Sequence, residues 1–510
     1  MPNEINVMSP YDSTRGVFYL IAKALTTGLS AALFFILIAR LLPNISDLGL
    51  FQGLQSLITI SVTLAGSGLS RAAIRFISLY IGAGKDKMAE ATFSAVFRVG
   101  LISTIVLSVF LYVSAPYIAN LFFHDYDVVD LIRLTTVDIF LFGLVIYLTS
   151  LMYALQAFRK AVIISIFSSL LKFTMASVFV LAGKGIEGII IGFIIGDAVG
   201  LVMYLYAVMP NIRKRPTSIR EIKPLLSFTL PLYGYSILVY LSTEIDLYLL
   251  LFLSDLSVVG IYSPAVFLAT ALILGLTAVD QAIAPFFSRT YGKSGMKALE
   301  DLSSLASRYV FLIYIPAGVI VLSCAPLLFT EILGERYSES VYPAMIIIIV
   351  IISTSIYPIF NNILVSAGHN RIFLISSAIA LSFQIVLSLM LIPYMGATGA
   401  AIAKASAFII LFLIPAYRLK LLLGTLHYDR KALKLSLAGS IIMASIILII
   451  NLNLFSPYLL PVSIFVGMMS YLLFLRFTST LNAKDIQVIS KSLPASFSGL
   501  TTMVSKLCIR

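Results

Sequence analysis

The 41 residues LSLAGSIIMASIILIINLNLFSPYLLPVSIFVGMMSYLLFL, from Leu435 to Leu475, contain no charged side chain. A helix needs about 20 apolar residues to cross a bilayer, so this stretch is long enough for two crossings. Asn451, Asn453 and Pro457 mark the break between them. Apolar blocks of similar length recur along the whole chain, which predicts an all-α polytopic membrane protein.

The overall composition points to the same class. Of the 510 residues, 60% are hydrophobic and 11% are charged, whereas soluble domains carry about 25% charged residues. The two cysteines, Cys324 and Cys508, are too few for a disulfide framework, and the three histidines lie far apart in the sequence. We therefore expect no bound metal and no cofactor.

Charged or turn-rich breaks divide the apolar sequence into fourteen predicted spans, with twelve as the nearest alternative count. The first block is too long for the core of a signal peptide, so it is predicted to remain as span 1. The spans cover residues 16–42, 48–70, 90–113, 131–154, 159–182, 186–208, 226–250, 258–283, 306–329, 342–366, 372–393, 397–419, 434–453 and 457–476.

The distribution of basic residues predicts the orientation. A cytoplasmic N-terminus puts 27 of the 35 Lys and Arg residues in cytoplasmic segments, four in outer segments and four within spans. Cytoplasmic loops of membrane proteins carry such an excess. We therefore expect a multi-pass protein of the plasma membrane (the cell inner membrane) with both termini in the cytoplasm. The net charge of +12 then reflects topology and attraction to anionic lipids, and not the binding of nucleic acid.

An internal repeat divides the chain into two halves. Gly185-Ile-Glu-Gly188 recurs as Gly396-Ala-Thr-Gly399, 211 positions later, and Gly49-Leu-Phe recurs as Gly260-Ile-Tyr at the same offset. Six spans separate the copies, and this even number makes the repeat parallel. The predicted parts are a six-helix bundle, a basic cytoplasmic linker, a second six-helix bundle, two added helices (spans 13 and 14) and a cytoplasmic tail, at residues 1–208, 209–223, 224–423, 424–477 and 478–510.

Seven short segments stand in an order that carries a family resemblance. They are GLFQGLQSLI (49–58), GLSRAAIRFI (68–77), ALQAFRK (154–160), FTLPL (228–232), Ile245-Asp246, GIYS (260–263) and GATGAAIA (396–403). Together they resemble the oligosaccharide flippases of the multidrug/oligosaccharidyl-lipid/polysaccharide exporter superfamily. The resemblance implies two lobes that form a V-shaped cavity, transport by alternating access, and export of a lipid-diphosphate-linked sugar.

The loops between the spans exclude several enzyme classes. The longest outer loop, around residues 114–130, has no room for a catalytic domain, and the short cytoplasmic connections carry no nucleotide-binding motif. We expect a transporter and not an enzyme, driven by an ion gradient, the membrane potential or the gradient of the substrate. Its partners would be a lipid-linked oligosaccharide and membrane lipids, and it would work as a monomer.

Three basic side chains within spans are candidates for binding the diphosphate headgroup: Lys23, Arg98 and Lys172. A charge inside the membrane costs about 2.5–3.5 kcal/mol on insertion scales, so it usually faces a cavity or a partner. The alternative for Lys23 and Arg98 is that their long side chains reach the inner interface. The alternative for Lys172 is that it neutralises a neighbouring acid.

A second set of side chains has the hydrogen-bonding and stacking capacity that a sugar requires. The alternative for these residues is hydrogen bonding between helices, or the filling of gaps by aromatic rings. The candidates are Gln52, Gln55 and Thr59 in span 2, and Tyr357 and Asn361 in span 10.

Four acids within spans are candidates for coupling transport to an ion: Asp138, Asp197, Asp246 and Asp280. A buried carboxylate needs either a positive partner or a proton. The alternative for Asp138 and Asp197 is a structural pair with Lys172 or Arg98. The sequence leaves both interpretations open.

Two other functions remain as alternatives to a flippase. A cation-coupled multidrug exporter of the same fold would be expected to carry acids in its cavity, whereas span 1 carries Lys23. A membrane glycosyl polymerase or ligase would need catalytic groups on a sizeable outer loop, and the short outer loops argue against it.

Overall fold

The structure, a computed structural model, describes residues 10–208, 219–369, 371–454 and 459–480, and all regular structure in these ranges is helical. Fifteen helices are distinguished there. They are α1 (Pro10–Leu41), α2 (Ile45–Gly82), α3 (Asp86–Ile118), α4 (Val129–Ala154), α5 (Phe158–Leu181), α6 (Gly185–Val208), α7 (Ile219–Leu253), α8 (256–294), α9 (296–327), α10 (Val341–Ser353), α11 (Tyr357–Ser366), α12 (371–395), α13 (397–423), α14 (Arg430–Leu454) and α15 (Leu460–Phe477).

The predicted all-helical, multi-pass architecture is confirmed. All fourteen predicted spans fall on these helices, and span 10 is divided between α10 and α11. By length and apolar composition, twelve segments of the described residues qualify to cross a membrane. One of them, Arg371–Leu423, contains both α12 and α13, while α7 is not among the twelve.

The parallel repeat is visible in the backbone. Gly84 and Gly295, 211 positions apart, have φ angles of 67° and 71°, and Gly185 and Gly396 have φ angles of 54° and 51°. Such positive φ angles favour glycine because it has no Cβ. The third helix of each repeat also ends in a π-helical turn, at Ala119–Phe123 and Leu328–Leu333. The two halves therefore share backbone breaks as well as sequence.

The offset between the repeats changes in the middle of each half. The α4–α5 turn has a positive φ of 58° at Gln156, and the matching turn after α11 has one of 79° at Gly368, which is an offset of 212. Four of the six buried positions of α5, Ile164, Ser168, Ala176 and Val180, recur as buried positions of α12 at this same offset. By α6 and α13 the offset is again 211, as Gly185 and Gly396 show.

The described chain divides into two compact units, Met1–Gly260 and Ile261–Arg510. In the first unit, α2 packs against α3, α4 and α7, and α5 packs closely along α6. A core of buried residues that includes Phe93, Leu148 and Tyr204 joins α2, α3, α4, α5 and α6. Helices α4, α5 and α6, which carry Asp138, Lys172 and Asp197, are therefore part of one packed body.

Two glycines of the first unit form a reciprocal contact between the start of α2 and the start of α8. A Cβ added to Gly49 would overlap the carbonyl oxygen of Leu256, and one added to Gly260 would overlap that of Ile45. Both pairs, 45 with 256 and 49 with 260, are related by the repeat offset of 211. Each repeat therefore contributes the same glycine and the same carbonyl to this crossing.

In the second unit, the two added helices pack on α9. Tyr471 donates a hydrogen bond to the Leu312 carbonyl at 2.9 Å, and Ser436 donates to the Phe311 carbonyl at 2.6 Å. Cys324 is 2% exposed in the same apolar cluster. Side chains of both α14 and α15 thus bind consecutive carbonyls of α9.

Part of the predicted domain scheme lies outside the described residues. This holds for most of the linker 209–223, for the tail 478–510 beyond Thr480, and for Cys508. The predicted domain limits stay a prediction.

Candidate functional site

Close packing of α5 on α6 positions the central charges of the first unit. A Cβ on Gly196 would overlap the backbone of Lys172, and one on Gly192 would overlap the backbone of Ala176. Small residues let membrane helices approach in this way. Because the two backbones are so close, the side chain of Lys172 on α5 lies directly beside Asp197, the residue that follows Gly196 on α6.

Lys172 lies between two buried carboxylates. Its Nζ is 2.6 Å from Asp197 Oδ2 and 3.9 Å from Asp138 Oδ2. The exposed fractions of the three side chains are 12% for Lys172, 5% for Asp197 and 0% for Asp138. We call these three residues the Lys172 cluster. It joins α4, α5 and α6 through charge.

Two aromatic rings complete the surroundings of the ammonium group. Lys172 Nζ lies 4.3 Å from the ring centroid of Phe193 and 4.8 Å from that of Phe142. A cation over a ring face is attracted by the ring quadrupole. Sequence reasoning missed both rings, although a signal existed: Phe142 follows Asp138 by four residues and Phe193 precedes Asp197 by four, which puts each ring on the face of its acid.

The Lys172 cluster has an unequal number of charges. Two ionised carboxylates and one ammonium give a formal charge of −1 in a place that water hardly reaches. An uncompensated buried charge is strongly destabilising. One further positive charge, such as a proton or a small cation, would therefore make the cluster neutral.

Lys23 and Arg98 do not join this cluster. Lys23 Nζ is 3.4 Å from the Tyr153 hydroxyl and 5.9 Å from the centre of its ring. Tyr153 and Asp138 are fifteen residues apart on α4, about 22 Å along the axis at 1.5 Å per residue. Arg98 is exposed. One diphosphate cannot contact both Lys23 and Lys172 in this arrangement.

The polar residues of α2 lie beside α7. Gln52 and Gln55 are half-buried, Thr59 is exposed, and the Thr59 hydroxyl donates to the Gln55 carbonyl at 2.9 Å. The carbonyl of Ser56, on the same helix, accepts hydrogen bonds from two tyrosines of α7. These are Tyr248 at 2.9 Å and Tyr240 at 3.2 Å. Asp246 is buried in α7, and its coupling role stays a prediction.

Three other predicted site residues line one cavity of the second unit, of about 160 Å³. We call it the Asp280 cavity. It lies among α8, α10, α11 and α13, and its polar members are Asp280, Tyr357 and Asn361 with two threonines. The lining residues are Ile273, Leu276, Thr277, Asp280, Ile351, Thr354, Tyr357, Pro358, Asn361, Phe408 and Leu411.

Hydrogen bonds fix one side of the Asp280 cavity. Asn362 Nδ2 donates to Asp280 Oδ1 at 2.7 Å and to the Pro358 carbonyl at 2.9 Å. The neighbouring Asn361 Oδ1 is buried and accepts no hydrogen bond from any described residue. Among the residues described, no three His, Cys, Asp or Glu side chains are grouped so that they could hold a metal ion.

Known proteins resemble this chain in fold and, more weakly, in sequence. A lipid II flippase, MurJ, in an inward closed conformation superposes with a TM-score of 0.70 at 16% identity, covering 91% of this chain and 99% of that one. An inward-facing multidrug resistance transporter of the MATE family, within the MOP superfamily, gives a TM-score of 0.64 at 18% identity, covering 78% and 96%. The fold is that of transporters and flippases.

A curated relative and a family model extend the comparison to sequence. An uncharacterized membrane protein of Methanocaldococcus jannaschii is 23% identical over 430 residues, covering 79% of this chain and 83% of the relative. A family model described as "Polysaccharide biosynthesis protein" matches residues 37–342, more than half of the chain. The protein is therefore a multi-pass membrane protein that belongs to the polysaccharide biosynthesis protein family.

Proposed function

We propose that this protein is a flippase that moves a polyisoprenyl-diphosphate-linked oligosaccharide from the cytoplasmic to the outer leaflet by alternating access. The observation that carries the proposal is membership of a polysaccharide biosynthesis family on a fold shared with a lipid II flippase over 91% of the chain. The flipped lipid would supply the assembly of a cell-surface polysaccharide or glycan.

Within this proposal, the Lys172 cluster couples transport to an ion. Its formal charge of −1 supports the uptake of a proton or a small cation by Asp138 or Asp197. A diphosphate at Lys172 would have to displace carboxylates that lie 2.6 and 3.9 Å from the ammonium group. The headgroup is instead assigned to Lys23, whose Nζ contacts the Tyr153 hydroxyl, and to the exposed Arg98.

Deletion of the gene tests the function directly. The expected result is that a lipid-linked oligosaccharide accumulates on the cytoplasmic leaflet and that surface glycan is lost. Expression of the wild-type chain should reverse both effects. Normal surface glycan with no accumulated lipid-linked sugar in the deletion strain would contradict the proposal.

A second candidate function is export of organic cations. The observation in its favour is the single carboxylate of Asp280 in a mostly apolar cavity. In that case, the deletion strain would become sensitive to cationic drugs while its surface glycan stayed normal. The same two measurements therefore separate the two candidates.

The proposed orientation has both termini in the cytoplasm. A Cys324→Ser variant keeps Cys508 as its one cysteine, and the proposed topology puts that residue inside the cell. An impermeant thiol reagent should therefore leave this variant unlabelled on whole cells and label it after the cells are lysed. Labelling of Cys508 from outside would contradict the orientation.

A further inference from the structure

Among the described residues of the first repeat, an aromatic ring lies at the place equivalent to part of the Asp280 cavity. Tyr147 of α4 is 2% exposed. Its hydroxyl donates to the Ala65 carbonyl, and its ring lies against Gly66. At the repeat offset of 211, Ala65 and Gly66 correspond to Leu276 and Thr277, and both of these line the cavity.

The second repeat lacks this ring. At the offset of 212 that relates α4 to α10 and α11, Tyr147 corresponds to Ile359, which is smaller and has no hydroxyl. The helix is also interrupted between Ser353 and Tyr357, with Pro358 at the start of α11. Proline cannot donate the backbone hydrogen bond that a continuous helix would use. Ile359 is itself fully buried and does not line the cavity, whereas Thr277, at the position of Gly66, does.

The polar groups of the cavity are mainly hydrogen-bond acceptors. One oxygen of Asp280 is held by Asn362, and an ionised carboxylate has capacity for further donors. Asn361 Oδ1 has no accessible surface and no donor among the described residues, so a ligand reaches it once the amide turns toward the cavity. Buried acceptors are normally satisfied, so a group that brings donors is favoured at this place.

The remaining lining narrows the class of ligand. Most of it is apolar, including Leu276, Ile351 and Phe408, and Tyr357 adds an aromatic ring. A pyranose ring presents hydroxyl donors at its edge and C–H groups on its faces, so it matches a cavity with both kinds of surface. An acidic sugar would bring its carboxylate close to that of Asp280 and would be repelled.

We propose that the Asp280 cavity binds one uncharged or amino sugar residue of the lipid-linked oligosaccharide, with Asp280 and Asn361 accepting hydrogen bonds from its hydroxyl or amino groups. This assignment rests on the proposed flippase function. It gives Asp280 a place in substrate recognition and leaves ion coupling to the Lys172 cluster. The volume of about 160 Å³ suits a single ring, so the remaining sugars lie outside the cavity.

The predicted orientation gives this subsite a direction of loading. Span 8 runs inward from Gly260 and span 10 runs inward from Val341, so Asp280 and Asn361 both lie in the cytoplasmic half of their spans. A sugar residue that approaches from the cytoplasm would therefore reach the cavity from its nearer side. The subsite would therefore select the headgroup at entry.

Binding of free sugars to the purified full chain in lipid nanodiscs tests the proposal. The probes are glucose, N-acetylglucosamine, glucosamine, glucuronate and the organic cation tetraphenylphosphonium, measured by calorimetry or saturation-transfer NMR. At least one of the first three should bind, and glucuronate should bind at least tenfold more weakly. Failure of all three to bind, or preference for glucuronate, overturns the proposal.

Variants locate the binding. Asp280→Asn keeps the shape of the side chain and should weaken sugar binding at least tenfold, and Ile351→Phe should block it by filling the cavity. The matched control is Ile349→Phe on the same helix, because Ile349 is 50% exposed whereas Ile351 is 2% exposed. Binding that survives both cavity variants overturns the site, as does tetraphenylphosphonium displacing the sugar or binding in its place.

Failure of this proposal can be separated from failure of the flippase function. The flipping of a labelled lipid-linked oligosaccharide is measured in proteoliposomes made from the same preparation. Intact flipping with no sugar binding at the Asp280 cavity would remove the subsite and leave the function. Sugar binding at the Asp280 cavity without any flipping would keep the subsite and contradict the flippase function.

Discussion

The two repeats carry different side chains at equivalent buried positions. In the first repeat, the Lys172 cluster lies among α4, α5 and α6. In the second, its three members correspond to Val350, Gln384 and Phe408, so both acids are replaced by apolar residues. Phe408 lines the Asp280 cavity. The buried charges of the first repeat thus have no charged counterpart in the second, although the positive-φ turns recur in both.

Under the two proposals above, this difference separates two tasks of a transporter. A charged cluster responds to ions, and a cavity with fixed acceptors selects a ligand. The proposal that each repeat has one of these tasks predicts that substitutions in the two places have different consequences. The experiments below test this, from the largest expected effect to the smallest.

Removal of the central cation should have the largest effect. Lys172→Met leaves two carboxylates without their ammonium partner, and breaking a buried pair in this way costs about 3–5 kcal/mol. We expect a large fall in thermal stability in detergent and no transport. Lys172→Met combined with Asp197→Asn should recover part of the stability, because Asp138 alone is then left without its cation. A single variant that is fully stable but inactive would instead return Lys172 to the headgroup site.

Removal of one acid should affect coupling and leave the fold intact. Asp197→Asn leaves Lys172 with Asp138, a neutral pair, so no buried charge is left unbalanced. We expect normal stability and sugar binding, with gradient-driven transport reduced at least tenfold in proteoliposomes. Transport that still responds fully to an imposed gradient would make Asp197 purely structural. Asp280→Asn serves as the comparison, since its defect should appear in sugar binding.

The reciprocal glycine contact should respond equally in both repeats. Gly49→Ala and Gly260→Ala each bring a methyl group against a carbonyl oxygen, and overpacking of this kind costs about 1–3 kcal/mol. Gly28→Ala is the matched control, because nothing lies within 4 Å of its added Cβ. In a helix, this control change should be neutral or stabilise by about 0.5–1 kcal/mol. Markedly unequal effects at positions 49 and 260 would contradict the reciprocity.

The smallest effect on stability should come from making the second repeat resemble the first. Thr277→Gly with Ile359→Tyr introduces the glycine and the tyrosine that fill the equivalent place in the first repeat. We expect a folded protein that no longer binds sugar. Ile359→Tyr alone should be less stable, because the Thr277 side chain stands where Gly66 makes room for Tyr147. A double variant that still binds sugar would show that the two places are not equivalent.

Most of the fold could be predicted from the sequence because the bilayer imposes a simple rule. Apolar blocks of about 20 residues become spans, and the basic residues mark the breaks between them. The repeat was detectable at glycines such as Gly185 and Gly396. The shift in offset to 212 was not, because the matching turns carry different residues, Gln156 and Gly368.

The candidate site was less accessible to sequence reasoning. The cost of a buried charge singled out Lys172, Asp138 and Asp197, but periodicity does not give the rotation of one helix relative to another. The pairing of Lys172 with Asp197 depends on Gly196, which lets α5 and α6 approach closely. The Asp280 cavity depends on the absence of an aromatic ring beside Thr277. A single sequence does not show that a ring is missing at a given place.

The contact of Gly49 and Gly260 with backbone carbonyls has a consequence for how the gene can vary. A clash between two side chains can be relieved by a second, compensating mutation, whereas a carbonyl oxygen is present whatever residue carries it. No second mutation can therefore relieve the clash, and each glycine has to be retained independently of the other. Correlated changes between homologues should be missing at these two positions, and a map of residue contacts inferred from covariation would overlook this crossing.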